Sequence, residues 1–196
     1  MKVEFLKLKE NNSISVTEDT QFVLDIPFKS GKYVVELKFE KEGVAAEIIG
    51  LYKLGMGDNL HLTTIANHLA PHTTCVTNVK GVLTNGSKSD YIGKILINKK
   101  AQQTSSYLDD SVLILGENTH NNSQPILEIE ADDVKASHGA TTGRIDENQI
   151  YYLTSRGLTR VEAQDLIVDG FFESVLATIK SDEIRQKLKD TLSLND

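Results

Sequence analysis

The chain has 196 residues, 39% hydrophobic and 25% charged, figures ordinary for a globular protein long enough to bury a sizeable core. A formal charge of −7 argues against nucleic acid or an anionic membrane as partner, since both attract basic surfaces, and no apolar run approaches the roughly 20 residues of a membrane span. The single cysteine, Cys75, excludes an intramolecular disulfide framework, and the opening MKVEFLKLKENN lacks the apolar core of a signal peptide, so a cytoplasmic protein is expected.

From Val3 onward the sequence is a series of short apolar or alternating runs. Val3–Leu8, Phe22–Ile26, Tyr33–Phe39, Val44–Leu51, Leu60–Ala66, Cys75–Leu83, Tyr91–Ile97 and Ser111–Leu115 each suit a strand. Turn signals separate them at Ser30-Gly31, Glu42-Gly43, Gly55-Met-Gly57, Asn85-Gly86 and Gly116-Glu-Asn118. Long helical patterns between the strands are missing, which disfavours a doubly wound α/β sheet. A sandwich or barrel, and a β-solenoid with one coil per roughly 20 residues, both remain open.

Ile126–Ile129 is followed by a polar turn and by Ser137-His138-Gly139, where Gly139 and Gly143 would let the backbone turn tightly. Asp146 is placed to cap a helix starting near Ile150 and stopped by Gly157. Thr159 and Glu162 have the spacing of a capping box, and Ser181 can cap a final segment carrying Ile184, Leu188 and Leu192. Val161, Leu166, Ile167, Phe171, Val175, Leu176 and Ile179 fall near helical spacing. The expected division is therefore a strand body over 1–144 and a helical region over 145–196. Phe171-Phe172 can pack on the strand body or serve a groove-binding partner.

Several side chains are candidates for chemistry. Four thiolates for an iron–sulfur or zinc site are not available, and Cys75, in an apolar run, reads as a small core residue with metal binding as the remote alternative. His61, His68 and His72 could be the ligands of a small metal-dependent β-fold enzyme, but on one strand His61 and His68 point to opposite faces, and solvated or hydrogen-bonded turn histidines are expected instead. His120, among asparagines, reads as an exposed loop residue, and Asp109-Asp110 and Asp132-Asp133 as solvated turn carboxylates. No nucleophile elbow, Walker loop or complete dinucleotide fingerprint is present, so an enzyme is not expected. His138 differs: Ala136, Ser137, Gly139 and Ala140 leave its imidazole accessible to another chain or to a metal.

Ordered blocks of the sequence resemble a known family. Ala131-Asp-Asp-Val-Lys135, Ser137-His-Gly-Ala-Thr141, Asp146-Glu147 and Tyr151–Thr159 are similar to the C-terminal core of the SufB/SufD iron–sulfur assembly proteins, on the SufD side. The block from Pro71 through Lys80-Gly-Val-Leu83 to Ala101-Gln-Gln-Thr104, with Leu127–Asp133, extends the likeness over about 59–179. The resemblance implies a right-handed parallel β-helix followed by C-terminal helices. It implies pairing, with a SufB-like subunit or with itself, around Ile126, Leu127, Ile129, Val134, Ala136 and His138. It implies recruitment of a SufC-type ABC ATPase by Thr159, Leu166, Ile167, Phe171, Phe172 and Val175. It also places on His138 the histidine implicated in a transient iron–sulfur cluster shared with the partner. Ala136 stands where SufD proteins often have cysteine, Ser137 and Gly139 where SufB proteins have acids, and 105–110 lack the SufB cysteine. A cofactor-free solenoid that only binds partners is the alternative.

Overall fold

A computed structural model describes residues 1–27 and 30–192; the expected end of the helical tail at Leu194 lies outside the described residues. The strands are β1 (Lys2–Lys7), β2 (Asn11–Ser15), β3 (Thr20–Asp25), β4 (Gly31–Phe39), β5 (Ala45–Leu54), β6 (Asn59–His68), β7 (Thr74–Leu83), β8 (Lys88–Ile97), β9 (Ser105–Ile114), β10 (His120–Ile129) and β11 (Lys135–Arg144). Odd-numbered strands from β1 to β11 form one sheet, even-numbered strands the other, and every pairing is parallel. A chain that alternates between two parallel sheets is a β-helix. The two face-to-face antiparallel sheets of a sandwich are excluded.

β5, β7, β9 and β11 begin at Ala45, Thr74, Ser105 and Lys135, so one coil takes 29–31 residues and not the expected 20. Each coil holds two long strands and two corners. The corners repeat a left-handed residue: Gly57, Gly86 and Asn118 on one side, Gly43, His72 and Gln103 on the other. The amide of His72 donates to the Gln102 carbonyl of the next coil, which stacks the corners as the ladders stack the strands.

Alternation along each strand builds the core. In β4, Val35, Leu37 and Phe39 point inward, and Ile48, Tyr52, Leu60, Leu62, Tyr91, Ile95 and Leu108 meet them from the other strands. Gly81 and Gly93 make room for aromatic side chains: a Cβ at Gly81 would overlap the Tyr52 ring, and one at Gly93 would crowd Leu108 and the Tyr91 hydroxyl. Polar atoms inside the lower coils are matched, Tyr52 with Ser89 at 2.8 Å and Tyr91 with Thr64 at 2.6 Å.

The helices are α1 (Glu147–Ser155), α2 (Arg160–Leu176) and α3 (Asp182–Leu192). Asp146 caps α1, its side chain accepting from the Asn148 amide, and Gly157 with φ +101 ends the turn that follows. Thr159 and Glu162 form the expected capping box, and Ser181 caps α3. Val168, Phe172, Val175, Leu176 and Ile179, with Leu188 and Leu192 of α3, cover Val23, Ile49, Leu51 and Val82 on the outer face of the odd-strand sheet. That stripe differs from the one the spacing predicts: Val161 and Leu166 point to solvent. The helices thus cover the outer face of the odd-strand sheet around β3, β5 and β7, whereas the even-strand sheet is buried on one face only.

Four strand segments are not legible as strands in the sequence. β2, the first half of β9, the first half of β10 and all of β11 are polar or rich in small residues, and Ser137–Gly143 is extended strand, not the tight turn that Gly139 and Gly143 suggest. His120 is the exposed first residue of β10, not a loop residue.

Candidate functional site at the open end of the solenoid

β10 and β11 are the last strands of their sheets, so each has one edge with no strand beside it among the described residues. The amides of Lys135 and Ile145 donate to carbonyls of β9 and of the residue just before it. Peptide groups alternate sides along a strand, so the backbone groups of Ala136, His138, Ala140, Thr142 and Arg144 face the free edge. The same alternation in β10, where His120 and Glu130 donate toward β8, turns the Pro125 nitrogen to the free edge of that strand. Proline is tolerated there because no ladder bond is lost.

Side chains alternate as well. Ala136, His138 and Ala140 stand in register with Ser106, Leu108 and Asp110, which all point into the core. His138 therefore occupies a core-facing position, yet no further coil covers it and its side chain is exposed. Leu127 and Ile129, in register with buried Ile95 and Ile97, are likewise core-facing and remain 36% and 41% exposed. Val134 and Ala136 pack partly on the core. Ile126 is in register with Lys94 on the outer face of the even-strand sheet, so it faces away from the other five residues grouped with it in the sequence.

Beneath this end lies a carboxylate that the sequence pattern assigns to a solvated turn. Asp110 is instead in β9 and fully buried, and neither of its oxygens has a hydrogen-bond partner. Burial pushes its pKa up to about 6; the Ser123 hydroxyl is near enough to temper the rise without closing a hydrogen bond, and Asp109 adds to it. Thr119, Asn121 and Ser123 also hold buried oxygens without partners. The alternation Ser106, Leu108, Asp110, Val112 was the available signal that Asp110 points inward.

The remaining candidates are dispersed. Cys75 is buried in the core, with its thiol 3.9 Å from the Thr77 hydroxyl, and burial pushes its pKa up to about 12, so it is an inert core residue. His68 is neither solvated nor in a turn. It ends β6 inside the core, stacked on Phe39 at 4.4 Å, bonded to Thr73 and Ser106, and held by burial at a pKa of about 4. His61 faces outward beside Asp90 at 3.3 Å, and His72 is at a corner near Glu42. A shared site for these three is ruled out by their orientations. Among the described residues no group of three or more His, Cys, Asp or Glu is arranged to hold a metal ion.

The helical candidates separate by exposure. Phe172 and Val175 are buried against the odd-strand sheet and are not available to another protein, because they close the second core. Phe171 is half-buried beneath Lys80, whose ammonium lies 4.4 Å over its ring, and Ile167 is half-buried. Leu166 is exposed, as is the capping residue Thr159. Tyr151, Tyr152 and Val161, none of them grouped with the partner contact in the sequence, are also exposed on α1 and α2. The two helices are clamped by a bidentate Arg160–Glu147 ion pair. No helix among the described residues is long and apolar enough to cross a membrane.

A two-sheeted parallel β-helix with an open last coil and a helical cover defines the architectural class, and sequence comparison gives its family. Residues 15–171 match the family described as SUF system FeS cluster assembly, SufBD core domain. The chain is 34% identical over 162 residues to an iron–sulfur cluster assembly SufBD family protein of Mycobacterium tuberculosis, covering 78% of this chain and 40% of that one. It has the same identity to a SufBD family protein of Mycobacterium leprae, covering 78% and 41%. A SufBD family protein of Synechocystis sp. is 28% identical over 167 residues, covering 84% and 36%. The chain belongs to the SufBD family. It spans about 40% of the length of the two mycobacterial relatives.

Proposed function

We propose that this chain is a SufD-like, non-enzymatic scaffold subunit for iron–sulfur cluster assembly, which pairs end-on with a SufB-like subunit and carries a SufC-type ATPase on its helices. The observation that carries this reading is the contrast between the two ends of the solenoid. β1 and β2 are six and five residues long, β1 carries Lys2, Glu4 and Lys7, and the Asn12 side-chain amide occupies the Val34 carbonyl beside β2. Short, charged strands resist pairing. β11 is ten residues long with no charge between its ends, and its small side chains permit close approach.

His138 supplies one exposed imidazole at that end. A single nitrogen ligand holds iron without enclosing it, so a cluster made there would be cargo shared with thiolates of the partner. Energy would come from the partner ATPase, for which Tyr151, Tyr152, Val161 and Leu166 offer the apolar contact. Truncation at Thr159 is a poor test of that contact, because it strips the cover from Val23, Ile49 and Val82.

The test is reconstitution with the SufB-like and SufC-type proteins encoded in the same cell. His138→Ala should leave the complex assembled, as read by sedimentation, and lower cluster yield, as read by visible absorbance. Unchanged yield would make the chain a scaffold without a cluster ligand. Ala140→Pro, which removes a free-edge amide, should abolish end-on pairing, and Tyr151→Ala with Leu166→Ala should release the ATPase alone. Full assembly by Ala140→Pro rules out the pairing reading.

A further inference from the structure

Inside the last coil the polar groups stop matching. In the lower coils the Tyr52 hydroxyl meets Ser89 and the Tyr91 hydroxyl meets Thr64. Above them Asp110 Oδ1 and Oδ2, Thr119 Oγ1, Asn121 Oδ1 and Ser123 Oγ are all buried, and none has a hydrogen-bond partner. Asn121 and Ser123 stand in register with buried Ser89 and Tyr91, so both point inward from β10 while Asp110 points inward from β9. Ser123 comes near enough to Asp110 to act on its carboxyl. The Asn121 Nδ2 is spent on the Thr142 hydroxyl, to which it donates at 2.8 Å, which leaves Oδ1 for the interior.

These oxygens cannot satisfy one another. The carboxylate and the Asn121 oxygen only accept, so two hydroxyl protons would have to serve three acceptor oxygens. A carboxylate buried without a countercharge is costly. No side chain donates to Asp110, and the charge that acts on it is a second acid, Asp109. A hard cation answers both needs, because it binds lone pairs and supplies the missing charge.

The donor set selects the ion. Oxygen ligands without thiolate or imidazole suit an alkali or alkaline-earth ion, not a softer transition metal. One carboxylate balances one positive charge, so a divalent ion would leave a surplus charge in the core. The oxygens are closed to contact with water, which favours sodium over the larger potassium.

We infer that the last coil holds a sodium ion between β9 and β10, bound by Asp110 with Ser123, Asn121 and Thr119. The ion ties the two sheets together in the coil that no described strand covers.

Melting of the full chain near pH 8, in sodium, potassium and choline chloride at equal ionic strength, tests this. Sodium should raise the midpoint over choline by about 3–6 °C at a concentration tenfold above its dissociation constant, and the rise should saturate. In choline, Asp110→Asn should melt above wild type because the buried charge is gone, and sodium should close that gap by acting on wild type alone. Sodium-23 relaxation should show saturable binding to wild type and none to Asp110→Asn. Ser123→Ala, which removes one neutral ligand, should keep the response with affinity weakened roughly tenfold. Equal stabilisation by potassium, or a larger response to calcium, overturns the assignment of sodium. Melting that does not depend on the cation, or a sodium response that survives in Asp110→Asn, overturns the site itself.

Discussion

His138 stands directly beside Leu108 across the β11–β9 ladder, one exposed and the other fully buried, although both point toward the solenoid axis. The difference is one coil of cover. Leu108→Ala should cost about 2–5 kcal/mol because it opens a cavity. His138→Ala should change stability by no more than about 0.5 kcal/mol. Urea titration of the two variants checks the contrast, and a large loss for His138→Ala would make it a structural group.

His68 gives the fold a pH dependence of known sign. Its folded pKa of about 4 lies below the ordinary 6.5, so the fold favours the neutral ring. The stability it contributes is complete above about pH 6.5 and is lost as pH falls toward 4, by roughly 3 kcal/mol at most. His68→Gln should remove that slope. A His68→Gln difference curve that is flat between pH 7 and 4 would show that the ring accepts a proton without strain.

Asp110 works in the opposite direction over an overlapping range. Its folded pKa of about 6 lies above the ordinary 3.8, so the fold favours the protonated acid. Its contribution is complete below about pH 3.8 and declines as pH rises toward 6. Asp110→Asn should therefore stabilise the chain at pH 7, by roughly 1–3 kcal/mol. The wild-type curve conceals both slopes because they oppose each other, so each variant must be compared with wild type at several pH values.

Gly81 is a packing position. A Cβ there meets the ring of Tyr52, which is fully buried and tied to Ser89 at 2.8 Å. Gly81→Ala should cost about 1–3 kcal/mol through overpacking, and Gly81→Ala with Tyr52→Phe should recover little, since the clash is with the ring. Thermal melts of the single and double variants decide this.

How much of this is readable in the sequence depends on what covers each strand. Val35, Leu37 and Phe39 alternate with polar residues because one face of β4 is core and the other wet, and that pattern is plain. β11 has no such pattern. Its inward positions carry Ala136, His138 and Ala140 in place of large aliphatics, because no coil above demands apolar packing. Asp110 is misplaced for a related reason, as a buried acid violates the rule that an acid pair marks a turn. The helical stripe is visible, but spacing groups exposed Val161 and Leu166 with buried Val175 and Leu176, so it does not separate the face on the sheet from the face in solvent. The period of the coil is hidden because its corners share a backbone conformation, not a residue type: glycine at Gly43, histidine at His72, glutamine at Gln103.

Those stacked corners make length a quantity that changes in whole steps. Each coil meets only the one before and the one after, through ladders whose register is fixed at both corners. An insertion of one residue within a strand turns the rest of that strand's side chains to the wrong face, whereas an insertion of a full 29–31 residues adds one rung and keeps the register of the others. A solenoid of this kind lengthens with least disturbance by the whole rung.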